Sequence, residues 1–100
     1  MCHFGIARCD ITPPVGIYHR MWGAATHDQA TGIHRSLYGT ALIFQCSPEA
    51  SQEQRQVFVT LDHCLLWSSE MEQLLATIER QTGISSTNIV VTFSHTHAAG

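Results

Sequence analysis

The sequence predicts an α/β chain: strands, a long loop and one right-handed βαβ unit whose two strands pair in parallel, all within a mixed sheet. Three observations carry that prediction. Val57-Phe58-Val59-Thr60-Leu61 and Ile89-Val90-Val91-Thr92-Phe93 are short, nearly continuous apolar runs, as expected of strands buried on both faces. Between them Met71, Leu74, Leu75 and Ile78 recur at helical spacing. A strand, a helix and a strand in that order close as a right-handed crossover.

Each element follows from its residues. Phe4 to Arg8 reads as a first strand, ended by Asp10-Ile11-Thr12-Pro13-Pro14, where two prolines forbid regular pairing. Residues 13–34 form a long loop in which Gly16, Gly23 and Gly32 alternate with Tyr18, His19, Met21, Trp22, His27 and His34. Loops of that length are usually functional, so this one is expected to wrap a site. Leu37 to Phe44 is rich in β-formers and gives the second strand, and the polar run Ser47 to Gln54 makes a surface turn. The helix starts at a predicted capping box, Ser69 with Glu72, and stops at Gly83, where a left-handed residue is wanted. A Ser85-Ser86-Thr87-Asn88 turn leads into the last strand.

Composition narrows the partners. The chain has 100 residues, 44% hydrophobic and only 13% charged, where about 25% charged is usual. Much of its surface is therefore expected to meet a partner. A net charge of -3, with five arginines and no lysine, provides neither the basic stripe that nucleic acid needs nor a polybasic membrane patch. No segment reaches the roughly 18 apolar residues of a transmembrane helix, and no signal peptide opens the chain. As it stands it reads as cytoplasmic, with export open if the true start lies upstream. Cys2, Cys9, Cys46 and Cys64 form no C-x-x-C pair and read as reduced thiols that pack as small hydrophobes. Seven histidines are the one compositional excess, and histidine is both a metal ligand and an acid/base near neutrality.

Ligands of open α/β sheets bind beyond the carboxyl ends of the parallel strands. Asp62-His63-Cys64 leaves the first of these strands and Ser94-His95-Thr96-His97 leaves the second. An extended backbone through Thr96 would point His95 and His97 to one side, close enough to serve one metal site. Asp62 is a candidate for supporting that site or, alternatively, a residue capping the turn after the strand. His34 could reach the same edge from the long loop. His3, His19, His27 and His63 are expected to be bystanders. A catalytic zinc keeps three protein ligands and an open position. The chain supplies fewer, and stops at Ala98-Ala99-Gly100 just after the site, so residues 1–100 read as the front of a longer catalytic domain.

The residues resemble those of the neutral/alkaline non-lysosomal ceramidases, zinc-dependent amidases that hydrolyse N-acyl-sphingosine. Gly5-Ile6-Ala7-Arg8-Cys9-Asp10-Ile11-Thr12 is similar to the family's opening G-x-A-x-x-D-I-T. Thr31-Gly32-Ile33-His34, the Val57-to-Asp62 strand, and Asn88-Ile89-Val90-Val91 running into His95-Thr96-His97 continue the likeness. The resemblance implies that His95 binds zinc and that His97 beside it positions substrate and water. It implies an N-acyl lipid or related amide as substrate, and further zinc ligands and a catalytic serine beyond residue 100. Ser94 in place of the family's threonine is a mild departure. Ala98-Ala99-Gly100 in place of Ser-Gly-Pro changes the pocket wall and leaves the acyl substrate open. On this reading the 100 residues alone bind zinc weakly and turn nothing over. The alternative is an inactive scaffold or interaction module derived from the same fold. A metallo-β-lactamase pattern would continue H-x-H with x-D-H, where Ala99 and Gly100 stand, and an amidohydrolase barrel would place H-x-H after its first strand.

Overall fold

The computed structural model describes residues 1–20 and 23–100, so Met21 and Trp22 of the long loop lie outside the described residues. Four strands form one sheet in the order β1-β2-β3-β4: β1 (His3–Asp10), β2 (Tyr38–Gln45), β3 (Gln56–Leu61) and β4 (Ile89–Phe93). The first two pairings are antiparallel and the last is parallel, with α1 (Ser68–Thr82) joining β3 to β4. The mixed sheet and the βαβ connection are thus those expected. Pairing with β2 from His3↔Gln45 to Asp10↔Tyr38 lengthens β1 at both ends beyond its apolar stretch.

Cross-strand register decides which side chains share a face. Ile43↔Val57 and Val57↔Ile89 lie side by side, and that face receives Leu75 and Ile78 of α1 together with Ile84. Val57, Ile84 and Ile89 form the buried cluster, with Val59 and Val91 packed partly against it. The other face carries Phe4, Ile6, Phe58 and Val90, which are 71%, 67%, 42% and 48% exposed. On that face Phe44 meets Phe58 edge-on with centroids 5.8 Å apart. The expectation that β3 and β4 are buried on both faces is therefore corrected. They alternate, because α1 covers one face and nothing among the described residues covers the other.

The helix start is corrected as well. Trp67, not Ser69, is the N-cap, and its N–H donates to Oε2 of Glu70 at 2.8 Å, the half of a capping box in which the acidic residue reaches back. Gly83 ends the helix as expected, with φ 71° and its N–H donating to the Glu79 carbonyl at 2.8 Å. The polar turn is tied to this end: Gln52 Nε2 donates to the otherwise orphaned carbonyl of Thr82 at 2.8 Å, and Asn88 Nδ2 donates to the carbonyl of Glu53 at 2.9 Å. A methyl group at Gly83 would meet Gln52 Cγ at an ordinary 3.7 Å, so the cost of substitution lies in the backbone. Gly83→Ala is expected to cost about 1 kcal/mol, read as a lower thermal midpoint with an unchanged far-ultraviolet spectrum.

Candidate metal centre

The carboxyl ends of β3 and β4 are held together past the last residue of each strand. Ser94 N–H donates to the Leu61 carbonyl at 3.0 Å and His95 N–H to the His63 carbonyl at 3.1 Å, prolonging the ladder into the two exit loops. His63 thus contributes through its backbone. One rung further on, Cys64 Sγ lies 3.9 Å from both ring nitrogens of His95. The rings of His95 and His97 stand edge to face with centroids 5.1 Å apart. The structure brings the two histidines together by a route other than the one expected, since His95 has φ 61° and the backbone turns there instead of running extended. Among the described residues it is the one non-glycine residue with positive φ, a conformation that costs of order 1–3 kcal/mol and collects at functional sites.

Cys64, His95 and His97 each offer one donor atom, all within 4.8 Å of one another. Two donors on a tetrahedral zinc stand about 3.5 Å apart, close to the 3.9 Å between Cys64 Sγ and the ring nitrogens of His95. One thiol and two imidazoles suit zinc far better than magnesium or calcium, which take oxygen ligands. The donor set therefore fits the metal that the resemblance implies. Cys64 is 5% exposed, whereas both histidines are exposed, so the cluster opens on its histidine side. Cys2, Cys9 and Cys46 are exposed, so the reading of the cysteines as packed thiols is corrected for those three, which lie at or near strand ends at the surface. Sequence reasoning passed over Cys64. The signal that could have found it is its place at the carboxyl end of a parallel strand, opposite H-x-H.

Asp62 is elsewhere engaged: its Oδ2 accepts the Tyr38 N–H at 2.9 Å while its own N–H donates to the Tyr38 carbonyl at 2.9 Å. It closes the end of the β2–β3 ladder, one step from the donor cluster. His34 is exposed and stands on the wall of a cleft of about 410 Å³ with Thr96 and Ala98, outside the cluster.

The long loop folds back on itself as a two-stranded arm. Gly16 N–H donates to Ala30 at 2.8 Å, His19 N–H to Asp28 at 2.9 Å, and Arg20 pairs with Asp28 at 3.0 Å. The arm builds two adjoining clefts beside the cluster. Pro13, Val15, Ile17, Ile33 and Leu37 make the first largely apolar, and His19, His27 and His97 line the second. His19 and His27, expected as bystanders, sit with ring centroids 4.9 Å apart. Gly100 has φ 92°, a conformation strained for other residues, and lies against Ile17, whose Cδ1 would have to shift to admit a Cβ there.

A turn at the base of the arm sets its direction. Thr12 N–H donates to Asp10 Oδ1 at 2.8 Å, and Thr12 Oγ1 accepts the Leu37 N–H at 2.9 Å. Hydrogen bonds from the Thr12 hydroxyl and then its amide hold the Asp10 carboxyl below the usual aspartate range, with a lesser contribution from Ser36. A carboxyl lowered on folding adds stability above its unfolded pKa, and that stability is lost as pH falls through the folded value. Asp10 is thus expected to titrate below the usual aspartate range by carbon-detected NMR. Exchange of the Thr12 amide should accelerate through the same midpoint, and Asp10→Asn should abolish that dependence.

A family model described as neutral/alkaline non-lysosomal ceramidase, N-terminal, matches residues 3–100. Among solved structures, the chain is similar to a neutral ceramidase from Pseudomonas aeruginosa, with a TM-score of 0.78 and 21% identity over 96% of this chain. It is also similar to a ceramidase complexed with C2, with a TM-score of 0.79 and 21% identity over 98% of this chain. At that identity the likeness concerns the fold. The chain spans 15% of the length of each of these proteins. No curated protein matches it. The family match covers the strands, the arm and the H-x-H exit of β4 alike, and the chain therefore belongs to the neutral/alkaline non-lysosomal ceramidase family, within its N-terminal domain.

Proposed function

We propose that this chain contributes the N-terminal part of the active site of a zinc-dependent hydrolase that cleaves the amide bond of an N-acyl lipid, with His95 a metal ligand. The observation that carries the proposal is the meeting of His95, His97 and Cys64 at the carboxyl end of the parallel pair, in a chain of this family. Zinc held there supplies Lewis acidity, acidifying water and polarising the acyl carbonyl. The exposed His97 imidazole lies on the rim, facing the second cleft, where it can hold the proton exchanged between water and the leaving amine. The apolar first cleft beside it accommodates an acyl chain, with His34 and Thr96 as the polar groups on its wall. Asp62 supports the site at one remove by fixing the end of β3. Among the described residues no helix is long and apolar enough to cross a membrane.

The test measures zinc content and hydrolysis of N-acyl-sphingosine, shorter N-acyl amines and acyl esters by the full-length protein. About one zinc per chain and amide cleavage are expected. His97→Gln should retain the metal and lower kcat by about 10²–10⁴. A protein without zinc would sink the reading. Zinc without hydrolysis of any acyl compound would favour the inactive scaffold.

A further inference from the structure

We infer that Cys64 is itself a metal ligand, so that the cation held by His95 is bound by a thiolate as well as an imidazole. The inference rests on the metal-site reading above, since it needs His95 to ligate, and it deepens that reading by assigning the thiol its role. Cys64 is 5% exposed, and its sulfur is directed at the imidazole of His95, 3.9 Å from each ring nitrogen. The two residues are preorganised: the bonds from Ser94 to Leu61 and from His95 to His63 fix the exit loops that carry them.

Two other roles fit the geometry less well. A thiol kept only for packing needs no polar partner, whereas this sulfur lies 3.9 Å from both ring nitrogens of His95. A thiol acting as nucleophile beside a histidine needs access to an acyl carbon, and the burial of Cys64 denies it. A single cation needs no such access, because it enters between the exposed His95 and His97 and meets the sulfur from the histidine side. On binding, the S–H bond breaks, its proton passes to solvent, and a sulfur–metal bond forms; no oxidant or reductant is involved. His97 stays at the rim, free for the reaction. A thiolate also biases the site toward zinc, cobalt and cadmium and against magnesium and manganese.

Cobalt(II) titrated into the metal-free full-length protein reads the sulfur directly, because a thiolate ligand adds a near-ultraviolet charge-transfer band that imidazole and carboxylate ligands do not. That band is expected in the unsubstituted protein. Cys64→Ala should abolish it and weaken cobalt binding by more than the tenfold to hundredfold that loss of an outer-shell partner costs. His95→Ala should remove the visible ligand-field bands as well. The unsubstituted spectrum needs no variant to fold. Ligand-field bands without the charge-transfer band, or a band that survives in Cys64→Ala, overturn the assignment of Cys64 while leaving the metal site standing. Failure of the unsubstituted protein to bind cobalt overturns both.

Discussion

Replacing His95 with alanine is expected to remove the metal from the full-length protein and reduce amide hydrolysis to background. The loss in metal affinity should exceed a hundredfold, because an outer-shell partner alone is worth about ten- to hundredfold. His95 meets both Cys64 and His97, so its removal takes away the ligating ring that joins the thiol to the histidine at the rim. The backbone complicates the experiment in a useful way. His95 has φ 61°, a left-handed conformation whose cost the native histidine already bears and in which Asn, Asp and His are several-fold enriched over other residues such as alanine. Asparagine tolerates the left-handed region better than alanine, and both variants keep the backbone N–H that donates to the His63 carbonyl. His95→Asn should therefore be as inactive and metal-free as His95→Ala while melting closer to the unsubstituted protein. If both variants keep zinc and activity, the paired histidines are structural.

The second large effect is expected in the core, from Ile84→Ala. Ile84 is 2% exposed and sits where the chain enters the turn before β4, against Val57 and Ile89 on the sheet and beneath Leu75 and Ile78 of α1. Truncating a fully buried isoleucine costs about 2–5 kcal/mol, since the hole fills only in part. Among the described residues the buried apolar set is Ala50, Val57, Cys64, Ile84 and Ile89. A core that small has no reserve. Each kcal/mol lowers the melting temperature by about 4–8 °C for a unit of roughly 100 residues and by about 2–4 °C for a larger domain, so the variant should melt at least several degrees lower. Calorimetry reads this directly. A shift of under about 2 °C would mean that the helix is not seated on the sheet as described.

How much of this was legible beforehand differs by element. The parallel strands and the helix between them follow from local chemistry: β-branched runs of strand length, apolar residues at helical spacing, and Gly83 at a left-handed stop. The cap was misplaced because Ser69/Glu72 and the Trp67/Glu70 pair that forms are two residues apart, and spacing cannot tell which turn begins the helix. Burial of β3 and β4 on both faces was misjudged because Phe58 and Val90 are as apolar as Val57 and Ile89, although only the latter lie under α1.

The site divides in the same way. His95 and His97 announce themselves by a two-residue spacing at the end of a strand, and the sequence by itself determined that they belong together, as well as the α/β order that puts them at a ligand-binding edge. Only the tertiary structure decided how they meet, through a positive φ that spacing does not encode, and which third side chain joins them. Cys64 lies 31 residues from His95 in sequence, and it arrives because parallel pairing of β3 with β4 sets their carboxyl ends side by side. Asp62, two positions earlier, instead turns its carboxylate to Tyr38. Local preference fixes elements along the chain. A site is a meeting of chain ends that only the sheet register brings together.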